Sequence, residues 1–233
     1  LEELKAYALA HPDQINRIKG LHFHTHFLEA DANPLAHALK SISDSAGDLL
    51  DKLEWINFGG GYAPRDEADV IAFQNVLKEF RERFHGKIIL EPGNAIIGRA
   101  GSLRTQVIDL FERDGASIAI LDTGVHHLPE VFEYQKAPSV KESNPDGRYK
   151  ILLAGCTCLA GDLFGSFRFK QPLLLGDTLH LETVGAYSLV KASRFNGHDL
   201  PGLAIRGTSG TIEVLKTFGY SDFLGQWGLQ SST

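Results

Sequence analysis

The chain has 233 residues, 43% of them hydrophobic and 22% charged, with a formal net charge of −6. That length suits one large domain or two modest ones, and the absence of a basic stripe argues against a nucleic-acid partner. A mildly negative field favours a cationic small molecule instead, and no run approaches the roughly 18–20 apolar residues of a membrane span.

In chain order, residues 1–10 read as an amphipathic helix and 20–26 as a strand. Residues 34–52 read as a helix and 55–58 as a strand running into Gly59, Gly60 and Gly61. A helix over 68–84 places Val70, Phe73, Val76, Leu77 and Phe80 on one face, and a strand over 87–90 leads into Glu91-Pro92-Gly93. Such βαβα order implies a parallel sheet or barrel.

Beyond residue 100 the pattern changes. Runs at 106–111, 117–122, 149–154, 178–183 and 203–205 are β-like, separated by Gly, Pro and Asp turns, and 138–148 reads as a surface loop. The fold class is therefore α/β, with a barrel portion over 1–100 and a mostly antiparallel β domain over 101–233, whose last strands have room to return to the barrel.

Cys156 and Cys158 are one residue apart, a spacing whose strained geometry rarely permits a disulfide. A reducing, cytoplasmic setting follows. The chain contains no Met, even at position 1, so it is expected to be part of a longer protein.

In parallel α/β barrels the chemistry gathers where strands end, and three successive strand ends here are polar or glycine-rich. The triple glycine suits either an anion cradle of converging backbone N–H groups or a tight turn. Glu91 suits either a buried structural carboxylate or a partner for a protonated ring nitrogen. His22, His24 and His26 alternate, so on a strand they share a face. They read as a metal site, as a flat imidazole against an aromatic cofactor, or as a solvated strand end. A metal site wants further ligands on later strand ends, where glycines and Glu91 stand instead, which favours the cofactor.

The ordered set Gly20-Leu-His-Phe-His24, Gly59-Gly-Gly61, Glu91-Pro-Gly93, Gly155-Cys-Thr-Cys-Leu-Ala-Gly-Asp162 and Gly185-Ala-Tyr187 resembles the pyridoxal-phosphate (PLP) decarboxylases of ornithine, diaminopimelate and carboxynorspermidine. The resemblance spans about residues 20–205. It implies the later strands of a PLP-binding (β/α)8 barrel followed by the β domain. By motif, His24 stacks on the cofactor ring, Gly59, Gly60, Gly61 and Gly93 cradle its phosphate, Glu91 holds the ring nitrogen protonated, and Tyr187 reaches the phosphate. Cys158 corresponds to the cysteine that enters from the second subunit and helps to return a proton after CO2 leaves, which implies a homodimer with shared sites.

The substrate-facing set is Asn94, Asp122, Glu130, Tyr134 and Asp162. Where diaminopimelate decarboxylases place two arginines, this chain has Asn94 and Glu130. An acid in place of an arginine turns preference from carboxylate to ammonium, and the segments at 122–130, 155–162 and 190–197 resemble those of carboxynorspermidine decarboxylases. The expected substrate is a carboxylated polyamine. Cys156 receives no role. The lysine that anchors the cofactor is expected before the His-containing strand and outside this sequence, with Lys40 a solvated helix residue. Three other readings stand beside this one: a diaminopimelate-type decarboxylase, a non-catalytic PLP-binding homologue, and a metal-dependent barrel hydrolase using His22 and His24.

Overall fold

The computed structural model describes residues 2–15, 17–46 and 49–229, and the chain forms two compact units, residues 1–97 and 98–233. The first unit opens with α1 (Glu2–Ala10) and α2 (Pro12–Ile15). Then β1 (Gly20–His22), β2 (Trp55–Asn57) and β3 (Lys87–Ile89) pair in parallel in the order β1-β2-β3. The crossovers are α3 (Asn33–Ala46) with α4 (Leu49–Lys52), and α5 (Glu67–Arg83). A short α6 (Asn94–Ile97) follows β3.

α5 starts and stops where its ends are satisfied. The Asp66 carboxylate accepts from the Asp69 amide at 3.0 Å, Glu67 and Asp69 lie in the first turn, and Arg81 and Arg83 in the last. Acids at the start and bases at the end complement the helix dipole. Leu35, Leu39, Leu50, Ile56, Phe58, Phe80 and Phe84 form this unit's core. Ile56 and Phe58 are fully buried there, each by about 1.5–3 kcal/mol of hydrophobic transfer.

Two local expectations are corrected in this unit. The helix expected over 34–52 is two helices, with residues 47 and 48 outside the described set. The strand expected over 20–26 ends at His22, so His24 and His26 lie in the loop beyond it. Alternation therefore does not put the three histidines on one face: His22 and His24 are exposed, whereas His26 is buried against Tyr62 with ring centroids 4.6 Å apart. Helix α1 forms as expected from Glu2; Leu1 lies outside the described residues.

The second unit is a mixed six-stranded sheet that curls into a nearly closed barrel. Its strands are β4 (Ser102–Arg113), β5 (Ala116–Leu121), β6 (Ser139–Val140), β7 (Tyr149–Ala154), β8 (Leu163–Phe169) and β9 (Thr178–Glu182), in the order β6-β9-β4-β5-β7-β8. Every neighbouring pair is antiparallel except β5 and β7. That parallel pair requires a crossover, supplied by α7 (Pro129–Tyr134) and β6. β6 also falls inside the stretch expected to be loop, because Val140 is buried and pairs with Leu181. Val107, Ala119, Leu121, Leu153, Phe164, Leu179 and Leu181 fill the interior. After β9 come α8 (Ser188–Lys191), the antiparallel pair β10 (Leu203–Arg206) and β11 (Ile212–Lys216), and α9 (Tyr220–Gln226).

Candidate functional site

In the first unit the loops after β1, β2 and β3 are laced together by main-chain bonds. The Phe23 amide donates to Asn57 O at 3.0 Å, Phe58 to Ile89 O at 2.9 Å, and Glu91 to Gly59 O at 2.8 Å. This approach is so close that only glycine fits. A Cβ on Gly60 would stand 2.3 Å from Glu91 O, and one on Gly61, at φ +88°, would stand 2.0 Å from His26 O. His24 lies directly over the loop, since a Cβ on Gly59 would be 3.0 Å from its ring Cγ.

Two orienting contacts complete this cluster. His24 Nε2 lies 3.1 Å from His26 O, which makes it the protonated nitrogen donating to that carbonyl and sets the ring's plane. Asn57 was not singled out from sequence, yet it bridges the other two loops. Its Oδ1 accepts from the Gly59 amide at 2.9 Å, and its Nδ2 donates to Glu91 Oε1 at 2.6 Å. Glu91 stays exposed, so its other oxygen can meet a ligand. An oriented imidazole, an oriented carboxylate and a glycine loop that admits no side chain suit a flat, phosphorylated, nitrogen-containing ring. Gly93 accepts from the amides of Ile96 and Ile97, and Asn94 begins α6. Lys40 stands on α3 with its ammonium in water, paired to Asp44 at 2.9 Å.

In the second unit the named residues fall into two neighbouring groups. α7 and α8 are stapled side by side: Lys191 pairs with Glu133 and sits over the Tyr134 ring at 5.1 Å, and Ser188 Oγ donates to Glu130 Oε2 at 3.3 Å. This brings together Glu130, Tyr134 and, at the head of α8, the exposed Tyr187. Glu130 Oε1 is buried and has no hydrogen-bond partner among the described residues.

The other group joins the loop after β5 to the loop between β7 and β8. Asp162 is buried, and both its oxygens are taken by protein donors: Val125 N at 2.7 Å on Oδ1, Thr157 N at 3.0 Å and Thr157 Oγ1 at 2.6 Å on Oδ2. That geometry makes Asp162 a clasp between loops. Asp122 is tied similarly, its Oδ1 accepting from Thr105 Oγ1 and from the Gln106 amide. Both cysteines are free thiols, Cys158 exposed and Cys156 partly buried. Burial pushes the Cys156 thiol up, with Asp162 and Asp122 nearby adding to it.

His126 and His127, inside the 122–130 segment, form a cluster that no sequence motif marks. The two rings lie 3.8 Å apart, and His198 is 5.5 Å from His126. Burial holds His127 down to about 4, helped by His126 and His198, and lowers His126 as well. Among the described residues no three His, Cys, Asp or Glu side chains are grouped to hold a metal ion, and no described helix is long and apolar enough to cross a membrane.

Comparison with known proteins places the chain in a family. Residues 21–185 match the family model described as pyridoxal-dependent decarboxylase, C-terminal sheet domain. A carboxyaminopropylagmatine decarboxylase of Synechocystis sp. is 35% identical over 86% of this chain and 53% of its own length. A carboxynorspermidine/carboxyspermidine decarboxylase of Herminiimonas arsenicoxydans is 29% identical over 90% of this chain and 57% of its own. A crystal structure of carboxynorspermidine decarboxylase from Campylobacter jejuni, complexed with norspermidine, superposes with a TM-score of 0.78 at 30% identity, covering 91% of this chain and 61% of that one. The chain thus spans somewhat more than half the length of the relatives it matches.

Proposed function

Because the chain belongs to the pyridoxal-dependent decarboxylases and is a homologue of carboxynorspermidine decarboxylases at about 30% identity, we propose that it removes CO2 from a carboxylated polyamine, carboxynorspermidine or carboxyspermidine, to leave norspermidine or spermidine. The observation that carries the substrate class is Glu130. Its buried Oε1 lacks a protein donor, and an unpaired buried carboxylate oxygen costs several kcal/mol unless a donor reaches it. A polyamine ammonium is such a donor, whereas the distal end of diaminopimelate brings a carboxylate beside its ammonium, which Glu130 would repel.

When bound, pyridoxal phosphate supplies an acceptor for the electron pair released as CO2 departs. Glu91, held by Asn57, accepts the ring-nitrogen hydrogen bond and keeps the proton there. His24 offers its ring face, while Gly59, Gly60, Gly61 and Gly93 let main chain approach the phosphate, to which Tyr187 donates. Cys158 returns a proton to the carbon that lost CO2. Asn94, Asp122, Tyr134 and Asp162 line or shape the substrate end, Asp162 by holding its loops. Lys40 is not assigned as the cofactor anchor, since its ammonium stands in water paired to Asp44. A homodimer sharing its two sites, in the cytoplasm, completes the proposal, with the first unit a segment of a (β/α)8 barrel.

Thermal unfolding of the cofactor-loaded protein tests the substrate class. Norspermidine should raise the midpoint, lysine should not, and Glu130→Gln should remove the norspermidine effect. Stabilisation by lysine alone would overturn the assignment.

A further inference from the structure

The segment after α8 touches both cysteines. Asn196 Nδ2 lies 3.1 Å from Cys158 Sγ, and His198 Nδ1 lies 3.9 Å from Cys156 Sγ. The turn that carries these two residues is tightly specified. The His198 amide donates to Phe195 O at 3.2 Å, with Asn196 at φ 55°, ψ 22° and Gly197 at φ 77° between them. Positive φ at both central positions is the type I′ arrangement, for which Asn-Gly is the favoured pair.

Anchors on each side fix where this turn points. The Arg194 side chain is only 7% exposed; its guanidinium donates to Asp199 Oδ1 and Gly219 O, both at 3.3 Å, and lies over the Phe218 ring. The Ser193 amide donates to His126 O at 2.9 Å, tying the turn to the loop after β5. Turn chemistry alone would be served equally by glycine at 196, which adopts positive φ without steric cost. Glycine has no amide to give to sulfur.

We propose that Asn196 is a positioning residue for Cys158: its side-chain amide holds the sulfur in the orientation from which the proton returns to the decarboxylated carbon. This rests on the decarboxylase reading above. The proton passes from Cys158 to carbon and is replaced from solvent, so the cysteine is unchanged over a cycle.

The test compares Asn196→Gly and Asn196→Asp with the parent. Both substitutes tolerate the left-handed backbone, one deleting the donor and the other placing an acceptor against sulfur. Alkylation by iodoacetamide is followed at each cysteine by mass spectrometry in the cofactor-free protein. With the donor gone the sulfur is no longer held, and a carboxylate set against it repels the attacking electron pair, so the Cys158 rate should change roughly threefold in the glycine variant and fall roughly tenfold in the aspartate variant, with Cys156 unchanged as an internal reference. Equal rates at Cys158 in all three proteins would overturn the proposal, and so would equal slowing at both cysteines, which marks general loosening. With the cofactor-loaded enzyme and carboxynorspermidine in D2O, the glycine variant should lower kcat with KM held and scramble the stereochemistry of deuterium in the product. Unchanged kcat and stereochemistry would overturn the link to proton return. If the parent releases no CO2, the decarboxylase reading fails by itself and the alkylation order still decides the Asn196–Cys158 contact.

Discussion

Asn57 Nδ2 donates to Glu91 Oε1 at 2.6 Å while Asn57 Oδ1 accepts from the Gly59 amide, so one side chain sets both the carboxylate and the glycine loop. β2 ends at Asn57 and β3 ends two residues before Glu91, and their parallel pairing carries these positions to one edge of the sheet. A hydrogen bond to a charged group is worth about 1.5–3 kcal/mol. Asn57→Ala should therefore lower kcat/KM for CO2 release about 10- to 100-fold without unfolding the protein. Asn57→Asp, which sets two carboxylates together, should be worse. Kinetics on both variants, with circular dichroism to confirm the fold, check this.

Glu91→Gln keeps the shape of the side chain and removes the charge that favours a protonated ring nitrogen. Turnover should fall by about 100-fold or more, with the visible absorbance of bound cofactor altered and the unfolding midpoint in urea little changed. Near-normal turnover would mean that Glu91 does not hold the ring nitrogen.

Asp162 should matter most for stability. Val125, Thr157 and the Thr157 hydroxyl all donate to it, and Cβ atoms on Gly124 and Gly155 would stand 2.8 Å and 2.2 Å from its oxygens. Asp162→Ala strands those buried donors and should cost about 3 kcal/mol. Urea unfolding of the variant measures it, and a midpoint equal to the parent's would contradict the clasp.

Acid should unfold this protein through its buried histidines. His127 is held to about 4 by burial, with His126 and His198 adding to it, and burial lowers His126 and His26 too. An unfolded histidine titrates near 6.5. Between those values the unfolded chain binds more protons than the folded one, so stability rises with pH from about 4 to about 6.5 and these groups contribute no slope above that. A fully shifted histidine gives about 1.4 kcal/mol per pH unit across that window. Urea midpoints measured from pH 4.5 to 7.5 should climb and then level off, and His127→Asn should flatten the climb.

Much of the first unit was legible because its elements obey local rules. The strand expected over 55–58 is Trp55–Asn57, and the helix expected over 68–84 is Glu67–Arg83, begun by a capping Asp66. The histidine strand was overestimated because alternation is also compatible with a loop, and here β1 ends at His22 and the chain beyond it bonds to Gly61 O through the Glu29 amide. β8 escaped notice because Gly165 breaks its pattern, at φ 121°, where a register shift also falls. The glycines, Glu91 and Cys158 stood out as motif residues. Asn57 did not, and Asn196 was marked only as part of the 190–197 segment, since an asparagine at a strand end or in an Asn-Gly turn has an ordinary local explanation, and only the fold shows what their amides touch. The histidine cluster joins residues about seventy positions apart, which no local pattern reports.

The most direct measurement is release of labelled CO2 by the full-length protein with pyridoxal phosphate, offered carboxynorspermidine, carboxyspermidine and diaminopimelate in competition. Release from the two carboxylated polyamines, abolished by Glu91→Gln and weakened by Glu130→Gln, is the result predicted. Release from diaminopimelate alone, or from none of the three by a protein that binds the cofactor, would contradict it.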